Sequence, residues 1–143
     1  MNVIVYLCII IKKEIMKKLV LVCGFENEKI ESFVRKIDIT KGDVNVVLYP
    51  ENSMHPRYQI EKLKELINCN GDLVIATHSE IIFNQIRIEI KSGVLTTERV
   101  TMFFVHTDKF PEIVKIRTDG SVANWIVGLF DGTDNQLIDL LGF

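Results

Sequence analysis

The apolar positions of this chain switch repeatedly between two spacings. Residues 19–23 form an unbroken apolar run ending at Gly24, which predicts a strand buried on both faces. Over residues 26–37 the apolar side chains Ile30, Phe33, Val34 and Ile37 fall at i, i+3, i+4 and i+7, one stripe of a helix. Lys41-Gly42-Asp43 supplies a turn, and residues 44–49, rich in Val and Leu, predict a second strand. Pro56 suits a first helical turn, and Ile60, Leu63, Leu66 and Ile67 form the next stripe before Asn70-Gly71 ends it. Residues 73–76 predict a third short buried strand. Thr77-His78-Ser79-Glu80 then leads into a helix whose Ile82, Phe83, Ile86 and Ile90 face the core, closed by Gly93.

Past Gly93 the rhythm changes. Residues 100–105 and 112–117 predict two strands joined by a short loop, a hairpin, with Asp119-Gly120 as a further turn. After Trp125, Phe130 and Asp131-Gly132, the residues Leu137, Ile138, Leu140 and Leu141 predict a short terminal helix. No repeat, low-complexity tract or linker divides the chain, so residues 16–143 are expected to form a single α/β domain. Its sheet is expected to be parallel, flanked by helices on right-handed crossovers, with the hairpin as a C-terminal antiparallel appendage. Ligands of such sheets gather at the carboxyl ends of the strands. Gly24, Tyr49-Pro50-Glu51 and Thr77-His78-Ser79 all fall at such ends, so the pattern alone predicts that they share one edge.

Composition is consistent with one domain: 143 residues, 48% of them hydrophobic, with a formal net charge of −2. That balance, with a pI near 5.9, lacks the global basic surplus of an electrostatic nucleic-acid binder and leaves room only for a local patch. Arg57, Lys62 and Lys64 on one helix, and Arg87, Lys91 and Arg99 near the next, read as solvated faces. The cysteines Cys8, Cys23 and Cys69 are odd in number and form no C-x-x-C pair, which predicts buried, reduced thiols of a cytosolic protein. The apolar run of residues 3–11 is shorter than the ~18 residues of a membrane-spanning helix, so no membrane association is expected. Lys12 and Lys13 follow that run instead of preceding it, unlike the charge order of a signal peptide. Met16 is an alternative start, so residues 1–15 read either as an upstream extension or as an added edge strand. His55 reads as the residue that opens the helix at Pro56, and His106 as a solvated residue of the hairpin. Neither has a third ligand, so no metal set is expected from them. Trp125 and the Phe103-Phe104 pair are expected to pack the hairpin on the sheet.

One stretch carries a more specific pattern. Val46-Val47-Leu48-Tyr49-Pro50-Glu51-Asn52-Ser53-Met54-His55-Pro56 is followed by a predicted helix and then by Leu73-Val74-Ile75-Ala76-Thr77-His78-Ser79-Glu80. This resembles the Walker B to switch-histidine segment of ATP-binding-cassette-like AAA/ABC-type ATPases related to RecF, SMC proteins and the overcoming-lysogenization-defect nucleases. Gly120 to Asp131, with Trp125, Gly128 and Phe130, is similar to the tail of bacterial predicted ATPases of that group. The resemblance spans residues 19–143 and is strong only in the Pro-Glu/His-Pro and Thr-His-Ser blocks. It implies a P-loop NTPase-like fold.

The resemblance also implies roles, and several positions depart from them. In the family an acid ending the Walker B strand helps to hold Mg²⁺, and the next acid orients the attacking water; here Leu48 and Tyr49 stand there. An isobutyl group offers no oxygen to a hard cation, and a phenol is a poor base at neutral pH. Glu51 matches the acid after the proline and is the one candidate acid left in the block, two residues beyond the catalytic position. Where the phosphate loop is implied, Gly24-Phe25-Glu26-Asn27-Glu28-Lys29-Ile30-Glu31-Ser32 lacks a second glycine and brings Glu26 and Glu28. It reads either as an eroded relic, with Gly24 and Lys29 as remnants, or as an ordinary strand-to-helix turn. The arm and Ser-Gly-Gly signature helix that the family inserts before Walker B are missing between Ile37 and Val44. His78 matches the histidine that senses the γ-phosphate, with Thr77 beside it, and its place before a helix suits an anion. The alternative is that Thr77 or Ser79 caps the helix and His78 is inherited surface chemistry.

The expectation is therefore a shortened, degenerate ATPase-like lobe that does not turn over ATP alone, with no cofactor. It would act as an interaction or regulatory module on a related ATPase or on itself. The competing expectation is an ATP/Mg binder or weak ATPase whose missing acids come from a partner or from Glu51, Glu80 or Asp72. Gly24, Lys29, Thr77 and His78 would then be the nucleotide-binding residues.

Overall fold

The computed structural model describes residues 17–37, 44–68 and 71–142. The expectations for residues 1–15, Cys8, the 41–43 turn, Cys69 and Asn70 lie outside them. In chain order the elements are β1 (Leu19–Gly24), α1 (Asn27–Lys36), β2 (Val44–Leu48), α2 (Pro56–Ile67), β3 (Asp72–Ala76), α3 (Glu80–Lys91), β4 (Val100–Val105), β5 (Glu112–Val114) and α4 (Gly132–Leu141). The strands and helices through α3 fall where the periodicity predicts, whereas the predicted hairpin is not a separate appendage, because β4 lies within the sheet parallel to β1. Pro56 occupies the start of α2, where its missing N–H costs no helical bond. Gly93 follows α3 with φ +84°, a conformation open to glycine.

The strands form one sheet in the order β2-β3-β1-β4-β5. The first four are mutually parallel, and β5 runs antiparallel to β4. From β1 the chain moves two places in one direction to reach β2, then reverses through β3 to β4. With crossovers of a single hand, that reversal sends α1 to one face and α2 and α3 to the other. The two faces accordingly carry separate cores. Val22, Val74, Ala76 and Val105 pack with Ile30 and Val34 of α1. Leu21, Ile75, Met102 and Phe104 pack with Leu63 and Ile67 of α2 and Phe83 and Ile86 of α3. Residues one apart on a strand face opposite ways, which explains the continuous apolar strands.

β5 is shorter than the predicted 112–117 strand. Beyond Val114 the Lys115 N–H donates to the Asn124 side chain at 2.7 Å, and Ile116 bridges to Val122 instead. The Asn124 amide also donates to the Ile113 carbonyl at 2.8 Å. One side-chain amide thereby satisfies backbone groups of an edge strand that would otherwise offer them to another chain. Asn124→Ala is expected to cost about 1 kcal/mol and to speed hydrogen exchange at the Lys115 amide. Unchanged exchange there would refute the role.

Three side chains sit differently from their sequence expectation. Arg87 is not on a solvated face: its guanidinium donates to the Gly120 carbonyl at 2.8 Å and to Asn84 at 2.9 Å, and lies over the Phe83 and Trp125 rings. Arg99 is likewise drawn in, donating to the Lys17 carbonyl at 2.7 Å and the Ile67 carbonyl at 3.3 Å. Its burial lowers the guanidinium pKa, with Asp72 opposing. Trp125 stays half exposed and meets Phe83 of α3 edge-on rather than clamping β4 and β5 to the sheet. Stripe spacing alone cannot anticipate these positions, because each depends on a contact with a segment distant along the chain.

Candidate functional site

Adjacent β1 and β3 continue in opposite directions, so their carboxyl ends open the crevice where such sheets place ligands. Gly24 ends β1, Thr77 and His78 follow β3, and Tyr49 and Glu51 follow β2 beside them. The predicted convergence on one edge is therefore present.

His78 is held from three sides. Its Nδ1 lies 3.1 Å from the Gly24 carbonyl oxygen, which only accepts, so Nδ1 carries the proton. Its Nε2 meets the Asn27 side-chain amide at the start of α1. The atom it meets is the amide oxygen, an acceptor, so both ring nitrogens face oxygens of the chain itself. The Tyr49 ring stacks parallel to the imidazole, with centroids 5.2 Å apart and planes within 1°, an offset arrangement. Tyr49 has φ +51°, a left-handed conformation costing a non-glycine residue about 1 kcal/mol. Burial first, and then the Glu31 and Glu51 carboxylates, raise its phenol above the ordinary range, which makes it a still poorer base at neutral pH.

Glu51 is consumed just as fully. Both carboxylate oxygens accept from the Thr77 hydroxyl, at 2.8 and 3.0 Å, and one also accepts from the His78 N–H at 2.8 Å. Thr77 is 0% exposed and its oxygen in turn accepts from the Ser79 N–H at 2.9 Å. Ser79 is the residue that caps α3, through its oxygen to the Ile82 N–H at 3.2 Å. Its hydroxyl donates to Gln59 on α2, and Gln59 donates to the Met54 carbonyl at 3.2 Å. The turn after β2 is thus tied to the start of α3 at two points, by Glu51 and by Gln59.

The remaining candidates lie apart from this network or serve packing. Lys29 directs its ammonium to the Thr107 carbonyl beyond β4. A Cβ on Gly24 would meet the Val105 carbonyl oxygen at 2.7 Å, so its lack of side chain is required by the neighbouring strand. Leu48 is exposed at the end of edge strand β2. Glu80 accepts from the Thr133 hydroxyl at 3.3 Å, and Asp72 from the Lys18 N–H at 2.8 Å, at the opposite end of β3. His55 opens α2 as expected, its Nδ1 accepting from the Arg57 N–H at 3.2 Å. His106 is not solvated as expected but buried at the end of β4, its ring edge-on to Phe104 and its Nε2 3.3 Å from Glu112. That approach does not meet hydrogen-bond geometry, and the nitrogen has no such partner. Cys23 is a free, buried thiol whose pKa is driven far up by desolvation, with a push from Glu51, an inert core sulfur. Among the described residues no three His, Cys, Asp or Glu side chains gather closely enough to hold a metal ion, and no helix is long and apolar enough to cross a membrane.

Asn27, Tyr49 as a stacking ring and Gln59 are the contributors that the sequence pattern did not single out. Only Gln59 left a signal, as the one polar residue in register with Leu63 and Ile67 on the buried stripe of α2. No family model matches the chain, and no curated protein and no solved structure matches it significantly.

Proposed function

We propose that this protein is a non-catalytic, ATPase-like lobe that works as an interaction or regulatory module, with a related ATP-binding-cassette-type ATPase as its partner. The observation that carries the reading is the closure of the Glu51, Thr77 and His78 network on itself. In a working site these groups would face substrate. Here the carboxylate is occupied by chain donors and the imidazole by a backbone carbonyl and an amide. A nucleotide would have to displace four chain hydrogen bonds before gaining any of its own.

The residues present do not fit a Mg²⁺-triphosphate. Leu48 and Tyr49 bring no metal-binding oxygen suited to a hard cation. Only Phe25 and Glu26 separate β1 from α1, too short a turn to wrap phosphates with backbone N–H groups. The ammonium of Lys29 is spent on Thr107. What persists of the resemblance is a scaffold with the contours of an ATPase lobe, and such a lobe suits competition for, or support of, a genuine lobe's contacts.

Calorimetric titration with Mg-ATP tests the reading. The expected result is no saturable heat with the wild-type chain and none with His78→Ala. Micromolar binding lost on both His78→Ala and Lys29→Ala would overturn it in favour of a nucleotide binder completed by a partner chain.

A further inference from the structure

Glu112 stands opposite Phe104 in the antiparallel pair of β4 and β5. His106 lies two residues beyond Phe104 on the same face, so His106 and Glu112 meet as diagonal neighbours. Between them runs the loop 107–111, in which Thr107 to Phe110 are exposed. The pair therefore spans the base of this loop. His106 is 8% exposed, and its Nε2 is the one buried side-chain nitrogen or oxygen without a hydrogen-bond partner among the described residues. A buried polar atom left in that state is costly. The nearest candidate partner is the Glu112 Oε1, 3.3 Å away outside hydrogen-bond geometry, and the same oxygen lies 3.5 Å from the Lys109 ammonium.

We infer that His106 and Glu112 form a pH-sensitive clasp at the base of the loop 107–111, shut when the imidazole is protonated and loosened when it is neutral. Through Thr107 the clasp sets how firmly Lys29 is held. This rests on the loop alone and not on the ATPase-like reading. A neutral ring presents Nε2 to the carboxylate either as a lone pair, which repels it, or as an N–H held off the bonding direction. Protonation makes both ring nitrogens donors and adds a charge, so Glu112 gains a charge-assisted partner in a site nearly closed to water. The carboxylate then exchanges Lys109, whose side chain is 60% exposed and readily solvated, for the buried imidazolium. The other charged groups on the surrounding elements are occupied or open to water. Asp131, on the C-terminal segment whose Ile126 and Leu129 share a core with Phe104, accepts from the Gly128 N–H at 2.8 Å. Asp108 is exposed in the loop itself, and Glu80 of α3 accepts from Thr133. β1 contributes only the inert Cys23 beside Phe104. Lys29 of α1 meets the Thr107 carbonyl, one residue past His106, so movement at the base of the loop reaches its ammonium.

The test is NMR relaxation of the full chain at about pH 5 and about pH 8, the interval across which histidine changes charge. The Thr107 to Phe110 amides are expected to show order parameters near the ~0.85 of rigid backbone at the acid end and below ~0.6 at the other. Glu112→Gln removes the charge at a half-exposed position, which keeps the fold, and is expected to hold the loop at one order throughout. Lys109→Gln is expected to leave the change in place. Lys29 is read by acetylation with an amine-reactive reagent, relative to Lys62, so that the pH dependence common to lysines divides out. That ratio is expected to rise about threefold from about pH 6 to about pH 8 in the parent chain and to stay level in Glu112→Gln. A loop whose order ignores pH, or changes equally in Glu112→Gln, overturns the clasp, as does a change lost in Lys109→Gln. A level ratio in the parent chain overturns its hold on Lys29.

Discussion

Glu51→Ala is expected to lower the unfolding free energy by about 2–4 kcal/mol, read from the urea midpoint at constant slope. Two donors end on the one carboxylate, the single Thr77 hydroxyl proton shared between its two oxygens and the His78 N–H. Hydrogen bonds to a charged group contribute about 1.5–3 kcal/mol each, and sharing a single acceptor makes them less than additive. Water can replace part of the loss at His78, which is exposed, but not at Thr77, which is fully buried. Glu51→Gln keeps a carbonyl oxygen within reach of one donor and is expected to lose about half as much. If Glu51→Ala left stability within about 0.5 kcal/mol of the parent, a range typical of neutral surface changes, the carboxylate would not be a structural tie. A role facing solvent or a partner would then have to be reopened for it.

Gly24→Ala is expected to be the other severe change, costing about 2–3 kcal/mol and lowering the thermal midpoint by roughly 5–10 °C. The new methyl would stand 2.7 Å from the Val105 carbonyl oxygen, 3.1 Å from the Ile30 side chain and 3.2 Å from the Val105 Cβ. The nearest obstacle is backbone of a strand held on both sides, β4 between β1 and β5, so it cannot simply rotate away. Gly132→Ala is the matched control. Nothing lies within 4 Å of its added Cβ, and its stability is expected to stay within about 0.5 kcal/mol of the parent. The pair of variants separates two meanings of the same glycine. A residue spared a side chain for phosphate would alter ligand affinity with little effect on folding, whereas Gly24 is expected to affect folding itself. A Gly24→Ala protein as stable as the control would contradict the packing account.

These expectations link site and fold, because the groups that resemble chemistry are the ones that join β2, β3 and β1 at their carboxyl ends. The positive φ of Tyr49 turns the chain away from β2, and Glu51 and Gln59 tie the resulting turn to α3. The same strained turn places the Tyr49 ring on His78. Its strain is offset by the hydrogen bonds it permits.

The strands and helices through α3 were legible from residue spacing, since burying one face of a helix or both faces of a strand leaves a local periodic trace, whereas the place of β4 inside the sheet was not. Pro56, Gly93 and the stripes of Ile30/Val34 and Leu63/Ile67 carried that trace. Strand ends also announced that Gly24, Glu51 and His78 would share an edge. What only the tertiary structure decided is what those groups do there. The sheet order brings Thr77 beneath Glu51 and Asn27 beside His78, contacts between residues 26 and 51 positions apart. Such pairings leave no local period, because they depend on which strands become neighbours. The same holds for His106, which spacing left in solvent and the packing of β4 and β5 buried. The sequence by itself determined a layered α/β chain with polar groups at one edge. The three-dimensional arrangement determined that those groups satisfy one another.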